Sequence, residues 1–270
     1  MEIKIANYNI KDGFCDRVDD ENHKYTLNLE KLEAGQRIIK EMNPDILIVC
    51  EADYSSEYGG FNDYKIIFNY RYGVFVSKRY MHRDFGIGIL SRYPIVNVEK
   101  HTPENSRWIR ADIKIQDKVV QVVAVHPNPR NTPTEKAVLF EEILNDKKVP
   151  FVLAGDLNAL SPDDPIDKEV LLQSFIKKFG DANKAHRVVE EMVKAETVQF
   201  LLNAGLQDTY SKLNKTWDYT YHTKLSGNSF ARYDYIFCSN DFKITHSGVI
   251  KNELAEKASD HYPIYATLEL

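Results

Sequence analysis

Eleven short runs rich in Ile, Val and Phe set the strongest limit on what this chain can fold into: 3–9, 46–51, 64–68, 73–77, 86–90, 109–115, 118–125, 151–155, 233–238, 242–250 and 262–268. So many strands in 270 residues demand more than one sheet, since twisted open sheets seldom exceed about ten strands. Some runs alternate polar and apolar residues, and others are continuously apolar, as fully buried strands are. Helical patterns are fewer. Residues 27–42 carry Leu32, Ile39 and Met42 on one stripe and stop at Asn43-Pro44. A second helix is expected over 133–145, with Thr132 as cap, Pro133 in the first turn and Glu135 completing a capping box. The stretch 165–204 reads as two helices, turning near Gly180 and stopping at Gly205. Strands on either side of each helix imply a layered α/β (α+β) arrangement, with helices outside sheets whose inner faces meet.

No linker-like stretch, repeat or low-complexity run divides the chain. Residues 1–270 are therefore expected to form a single domain, with a helical insertion at about 160–205. Acidic and basic residues number 40 and 35, and the resulting net charge of -5 argues against a broad basic surface for nucleic acid while leaving room for a small positive cleft. The start of the chain lacks the apolar stretch of a signal peptide, and no window approaches a membrane span. Cys15, Cys50 and Cys238 form neither a zinc pattern nor a disulfide framework. A cytoplasmic monomer with no stable membrane association and no protein partner is the expectation.

Chemistry concentrates where strands end. The apolar strand 151–154 runs into Gly155 and presents Asp156 and Asn158, two positions apart and on one side of an extended chain. A carboxylate and an amide facing the same space suit a hard cation and the water or phosphate oxygen it touches; the structural alternative is an Asx turn. Asp260 and His261 follow Ser259 just before the last strand, where adjacent side chains reach one site only through turn geometry. Asn9 ends the first strand, Glu51 follows Ile-Leu-Ile-Val-Cys, and His126 ends the run from Val119 to Val125. Asp234 sits among aromatic and apolar neighbours, where an acid needs a partner or a metal. Each has a structural reading alone; six strand ends supplying Asn, Glu, His and Asp together point to a site.

In this order the segments resemble the motifs of the endonuclease/exonuclease/phosphatase superfamily: Asn-Tyr-Asn-Ile at 7–10, Glu51, Gly88-Ile89-Leu90-Ser91-Arg92-Tyr93-Pro94, His126, Gly155-Asp156-Leu157-Asn158, Arg232-Tyr233-Asp234-Tyr235-Ile236 and Ser259-Asp260-His261. The resemblance covers nearly the whole chain and implies a four-layer α/β/β/α sandwich with two face-to-face mixed sheets. It implies Glu51 as principal ligand of Mg²⁺, with Mn²⁺ as substitute, and Asn9 and Asp260 nearby. It further implies Asp156 and Asn158 beside the attacking water, His261 on the scissile phosphate, and Asp234 orienting His126. Histidine rather than tyrosine at position 126 leans toward the deoxyribonuclease, sphingomyelinase and general phosphodiesterase branches. Two features depart from the pattern: Pro127-Asn128-Pro129-Arg130 after His126, and the helical stretch before Asp208, whose Lys177, Lys178, Lys184, His186 and Arg187 read as a solvated surface.

The expected activity is divalent-metal-dependent hydrolysis of a phosphodiester, with DNA as the leading substrate and Asp156 activating the water. Competing readings are a phosphodiesterase or phosphatase of a small or lipid ester and, from another class, a non-catalytic binding protein of the same fold. A zinc hydrolase is disfavoured because the histidines lack close zinc-ligand spacing. A nuclease also needs a positive rim, for which Lys65, Arg71, Lys78, Arg79, Arg83, Arg92 and Arg130 are candidates. Tyr58, Tyr64, Tyr70, Tyr72 and Tyr80 could stack on bases, and Trp217 could line a loop over the site.

Overall fold

Most of the expected strands resolve into two six-stranded sheets whose apolar inner faces meet. The computed structural model describes residues 1–19, 24–54, 61–80, 83–102, 106–221 and 230–270. The first half contains β1 (Glu2–Asn9), the short turn α1 (Lys11–Phe14), β2 (Cys15–Asp19), β3 (Lys24–Leu27), α2 (Leu29–Met42), β4 (Ile46–Asp53), α3 (Phe61–Ile67), β5 (Tyr72–Tyr80), β6 (Arg83–Ser91), β7 (Ile95–His101), β8 (Ser106–Ile115) and β9 (Lys118–Pro127). Then come α4 (Pro133–Asn145), β10 (Phe151–Asp156), α5 (Lys168–Phe179), α6 (Ala182–Met192), α7 (Glu196–Asn203), β11 (Gln207–Asp208), α8 (Thr209–Leu213), β12 (Asp234–Cys238), β13 (Lys243–Val249), α9 (Glu253–Ala258) and β14 (Ile264–Glu269).

One sheet has the order β13-β14-β1-β4-β6-β5 and the other β11-β12-β10-β9-β8-β7; β2 and β3 pair separately. Both sheets are mixed, with β1 parallel to β4 and β9 parallel to β10 at their centres. Alternation along each strand divides the core in two directions. Ile3, Ile5, Val120, Val122 and Ala124 point inward between the sheets, whereas Ala6, Tyr8, Val123 and Val125 point outward under helices. Helices α2 and α9 cover the first sheet through Ala34, Ile38, Ile39, Met42, Ala255 and Ala258. Helices α4 and α7 cover the second through Leu139, Phe140, Ile143, Val198 and Leu201. The result is the four-layer α/β/β/α sandwich. Each fully buried Ile or Val contributes about 1.5–3 kcal/mol relative to exposure, so the shared inner core dominates the assembly.

The helix signals act as their chemistry requires. Helix α4 spans Pro133–Asn145, and its capping box is complete, with Thr132 accepting from the Glu135 backbone while Glu135 accepts from the Thr132 backbone. Helix α2 begins at an Asn28 cap and ends at Asn43 in the left-handed region, just before Pro44. Three expectations are corrected. Residues 64–68 lie mostly in α3 rather than a strand, because Tyr64 and Phe68, four apart, share a buried helical face. The 165–204 stretch is three helices, broken between α6 and α7 by Ala195 with φ 54. The added edge strand β7 interrupts its one apolar alternation, the exposed Val96 and Val98, with Asn97, Glu99 and Lys100, too short a pattern to read as a strand.

Candidate active site

Parallel pairing brings the informative strand ends to one place. The β1–β4 register sets Asn9 against Cys50, so Glu51 emerges beside Asn9. In the other sheet Asp156 lies opposite Asp234, and β9 runs parallel to β10 toward His126. Glycine is required before Asp156: a Cβ on Gly155 would stand 1.8 Å from the Val125 carbonyl oxygen. That close approach seats Asp156 next to the end of β9.

The backbone is strained where it delivers the site. Glu51 has φ 56 within a register shift of β4 against β6, and this bulge turns its carboxylate out of the ladder. Asn158 has φ 47, and its backbone N–H donates to Asp156 Oδ1 at 2.9 Å. Lys11, Asp12, Gly13 and Phe14 all have positive φ, forming a single left-handed turn that places Lys11 Nζ 3.1 Å from Asp260 Oδ2. Left-handed backbone costs an L-residue about 1–2 kcal/mol, and such strain persists when surrounding contacts over-determine it, as at functional sites.

Asp156 Oδ2 is the point of convergence. Asn9 Nδ2 donates to it at 3.0 Å and also reaches Glu51 Oε1 at 3.1 Å, joining the two sheets. His126 Nε2 and His261 Nε2 approach the same oxygen at 3.7 and 3.8 Å. Behind them lies a buried relay: Asn7 Nδ2 donates to Asp234 Oδ1 at 2.9 Å, and Asp234 Oδ2 holds His261 Nδ1 at 2.7 Å. Lys136, on α4, donates from Nζ to the Asn158 carbonyl at 2.5 Å. Ser259 Oγ donates to the Asn9 carbonyl at 2.7 Å, tying the Asp260–His261 turn to β1.

Electrostatics separates the two histidines. Burial pushes His126 down to about 4 despite the nearby Asp156, with Arg107 adding to the fall, so its ring is neutral. Burial would lower His261 too, but the Asp234 carboxylate, joined by Asp156 and Asp260, raises the ring to about 10, which favours the imidazolium. Burial, and then the charges of Asp260 and Asp12, raise Glu51 to about 7. Burial and Asp234 raise Asp156 as well, against the two histidines. Carboxyls raised above their ordinary range, by burial first and by neighbouring acids second, are common at functional sites.

The donor set fits a hard divalent ion. Ligand atoms of Glu51, His126 and Asp156 all lie within 4.8 Å of one another, as do those of Asp156, Asp234 and His261. None of these donors is a thiolate, and the Asn9 amide beside Glu51, with Asp260 paired to Lys11 nearby, adds further oxygens, a set that suits a hard cation over a soft metal.

The structure gathers Asn9, Glu51, His126, Asp156, Asn158, Asp234, Asp260 and His261 into this one neighbourhood. One expected pairing is corrected: Asp234 orients His261, not His126. Strand β10 stands between β12 and β9, so Asp156 separates Asp234 from His126, while His261 arrives from the facing sheet. Arg92 is remote, bonded to Asn43 and 3.9 Å from Asp45. Tyr64 and Tyr70 are buried, their hydroxyls donating to the carbonyls of Asp53 and Pro44. Tyr58 and the side chains of Lys78, Arg79, Tyr80 and Arg83 lie outside the described residues.

Sequence reasoning missed Asn7, Lys11 and Lys136. Asn7 is two residues from Asn9 on one strand face, and Lys136 falls on the buried stripe of α4 with Leu139, Phe140 and Ile143. A lysine on an apolar stripe was the available signal. Lys11 had none, since only the left-handed turn aims it inward.

Acids, amides and histidines thus meet at the strand ends of a two-sheet sandwich. The family model described as the Endonuclease/Exonuclease/phosphatase family matches residues 26–261, and the chain belongs to that family. Similar solved structures include an endonuclease/exonuclease/phosphatase family protein from Leptotrichia buccalis, with 18% identity, TM-score 0.67, and coverage of 99% of this chain and 100% of that one. An AP endonuclease from Archaeoglobus fulgidus has 20% identity, TM-score 0.67 and 98% coverage of both chains. A 3′ phosphatase, NExo, from Neisseria, bound to product DNA hairpin, has 19% identity, TM-score 0.66 and 98% coverage of both. No helix among the described residues is long and apolar enough to cross a membrane.

Proposed function

We propose that this protein is a Mg²⁺-dependent phosphodiesterase that hydrolyses DNA. The observation that carries the reading is the meeting of Asn9, His126 and His261 on Asp156 Oδ2, with Glu51 alongside. In the proposed reaction Asp156 accepts a proton from the attacking water as the new O–P bond forms, and the P–O bond to the leaving group breaks on the opposite side. Asn158 orients the water, its own loop being held by Lys136 and by the Asp156 carboxylate. His261, fixed in tautomer and charge by Asp234, donates from Nε2 to a phosphate oxygen. Neutral His126 offers a further donor from across the cleft. Glu51, Asn9 and Asp260 would hold magnesium, which supplies Lewis-acid stabilisation of negative charge on the phosphorus oxygens and leaving group.

The cleft favours a polyanionic substrate. Its volume is about 1700 Å³, larger than the roughly 300–1,000 Å³ of small-molecule sites. Seven cations and six acids line it, and four of the cations, Lys177, Lys178, Lys184 and Arg187, stand together on one wall. Relatives whose structures carry DNA are consistent with this substrate.

The test is metal-dependent hydrolysis by wild type and Glu51→Ala across single- and double-stranded DNA, abasic duplex, RNA, bis-p-nitrophenyl phosphate and p-nitrophenyl phosphate. Magnesium-dependent DNA cleavage lost in the variant is the expected result. Turnover of small esters alone would overturn the DNA assignment, and turnover of none would overturn the catalytic one.

A further inference from the structure

The cleft continues beyond the acid cluster, past Tyr221 and Tyr233, to a wall formed by α5 and α6. That wall is fixed to the site. Leu171, Leu172, Ala185 and Val189 of the two helices pack with Leu160, Ala231 and Tyr233, which flank Asn158 and Asp234 in the chain. Both helices are capped, by Asp167 and Asp181, and Gly180 with φ 65 makes the turn between them. Moving the hairpin would therefore require unpacking residues next to the catalytic groups.

The hairpin faces the cleft with Lys177, Lys178, Lys184 and Arg187. Elsewhere on this segment cations are neutralised, Lys168 by Glu190 at 2.5 Å and Lys194 by Glu191 at 2.7 Å. Among the described residues no ion pair holds the four that line the cleft. Lys177 and Lys178 have a structural use, since cations in the last turn of α5 complement the helix dipole. Lys184 sits in the first turn of α6, where a cation opposes the dipole, and its Nζ lies 4.6 Å over the ring of Phe179, itself a lining residue of the cleft. Arg187, one turn on, extends the same charge along the helix. Tyr221 lines the same cleft, its ring centroid 4.9 Å from that of His261 and 5.5 Å from that of Tyr233.

We propose that the α5–α6 hairpin is a binding arm for single-stranded nucleic acid, an inference that rests on the phosphodiesterase reading above. With the scissile phosphate at Asp156 and His261, the adjoining base stacks on Tyr221 and the following phosphates reach Lys184 and Arg187. A stacking platform flanked by cations is the chemistry that holds single strands without regard to sequence. A duplex keeps its bases stacked on each other and offers none to Tyr221. The basic residues of this segment, expected to be a solvated face, are thus given a ligand.

The experiment compares the full-length protein with the double variant Lys184→Glu/Arg187→Glu. Binding of a fluorescent twelve-nucleotide dT oligomer, and of a duplex of the same length, is followed by anisotropy in EDTA over a salt series. Hydrolysis of bis-p-nitrophenyl phosphate is measured separately with Mg²⁺. The wild type should bind the single strand at least tenfold more tightly than the duplex. The variant should weaken single-strand binding at least tenfold and flatten the slope of log K against log salt by about 1.4, the loss of two phosphate contacts. Its bis-p-nitrophenyl phosphate turnover should be unchanged, since both side chains are exposed, and its melting temperature should not fall, since Lys184→Glu puts an acid in the first turn of α6. Unchanged oligomer binding by the variant, equal binding of duplex, or no binding by the wild type would overturn the arm. Lack of bis-p-nitrophenyl phosphate turnover by the wild type, with oligomer binding intact and lost in the variant, would instead overturn the catalytic reading and leave the arm supported.

Discussion

Two clusters of buried charge meet at Arg232 and Asp234, two residues apart, and they are built on opposite principles. Arg232 is fully buried and spends its donors on Asp164, Asp208 and Ser211, with an Nη1–Asp208 distance of 2.6 Å and an Nη2–Asp164 distance of 3.0 Å. It also lies over the rings of Tyr210 and Tyr235. Asp234 belongs to the other cluster, where Glu51, Asp156 and Asp260 crowd together and the carboxyls of Glu51 and Asp156 are held above their ordinary range, chiefly by burial. The first cluster closes on itself and anchors the 160s loop and α8 to β12. The second holds carboxyls that burial keeps from ionising freely, a cost that an incoming cation would relieve. Buried charge is therefore not by itself a mark of function; carboxyls raised above their ordinary range at a cleft are a better one.

The sharpest way to break this comparison is to remove one charge from each cluster. Asp156→Asn should lower metal-dependent turnover of bis-p-nitrophenyl phosphate about a thousandfold. Its melting temperature without metal should stay level or rise, because a repelled, desolvated acid has been made neutral. A clear fall in melting temperature with activity retained would put Asp156 in the structural class. Arg232→Met should do the reverse at the level of stability, costing about 3–5 kcal/mol in denaturant unfolding because Asp164 and Asp208 lose their buried partner. Adding Asp164→Asn to that variant should recover part of the loss. If Arg232→Met unfolds like wild type, the closed cluster is not an anchor.

How these clusters could be read from sequence follows from what each signal depends on. Strands β1, β4, β9 and β10 announced themselves because their apolar runs are set by burial, and the Thr132 box because capping is local chemistry. Asp156 and Asn158 were visible because spacing of two is itself geometry. The partner of Asp234 was not, since choosing between His126 and His261 requires knowing which strand stands between which, a property of sheet order. The function of Lys184 and Arg187 was hidden for a different reason. An exposed cation has the same sequence signature on a solvated face as on a cleft wall, and only the packing of Leu171 and Val189 against Leu160 and Tyr233 distinguishes them.

Lys136 sharpens the comparison from between the two clusters. It is buried like Arg232, but its Nζ donates to the Asn158 carbonyl rather than to an acid, and burial lowers it to about 8 in spite of Asp156. Lys136→Met keeps the volume and removes a desolvated charge, so stability should hold. Turnover should fall about 10–100-fold, the usual effect of losing a residue that only positions another. The loss should appear mainly in kcat. Lys136→Arg should restore part of it, since a guanidinium can also donate to the carbonyl.

The smallest effect comes from a charge that neither cluster needs. Glu135 is exposed, and its carboxyl is held below its ordinary value by hydrogen bonds from the Thr132 backbone and side chain. A depressed carboxyl contributes stability above its unfolded pKa of about 4.3 and loses it as pH falls through the lower folded value. Thr132→Ala should accordingly lower the melting temperature by about 2 °C at pH 7 through the broken cap. That difference should narrow below about pH 4 as the carboxylate is protonated in both proteins. Scans at both pH values check the sign. A difference that widened in acid would mean that the cap draws its strength from the neutral carboxyl, and exposed charge could no longer serve as the near-zero reference against which the two buried clusters are weighed.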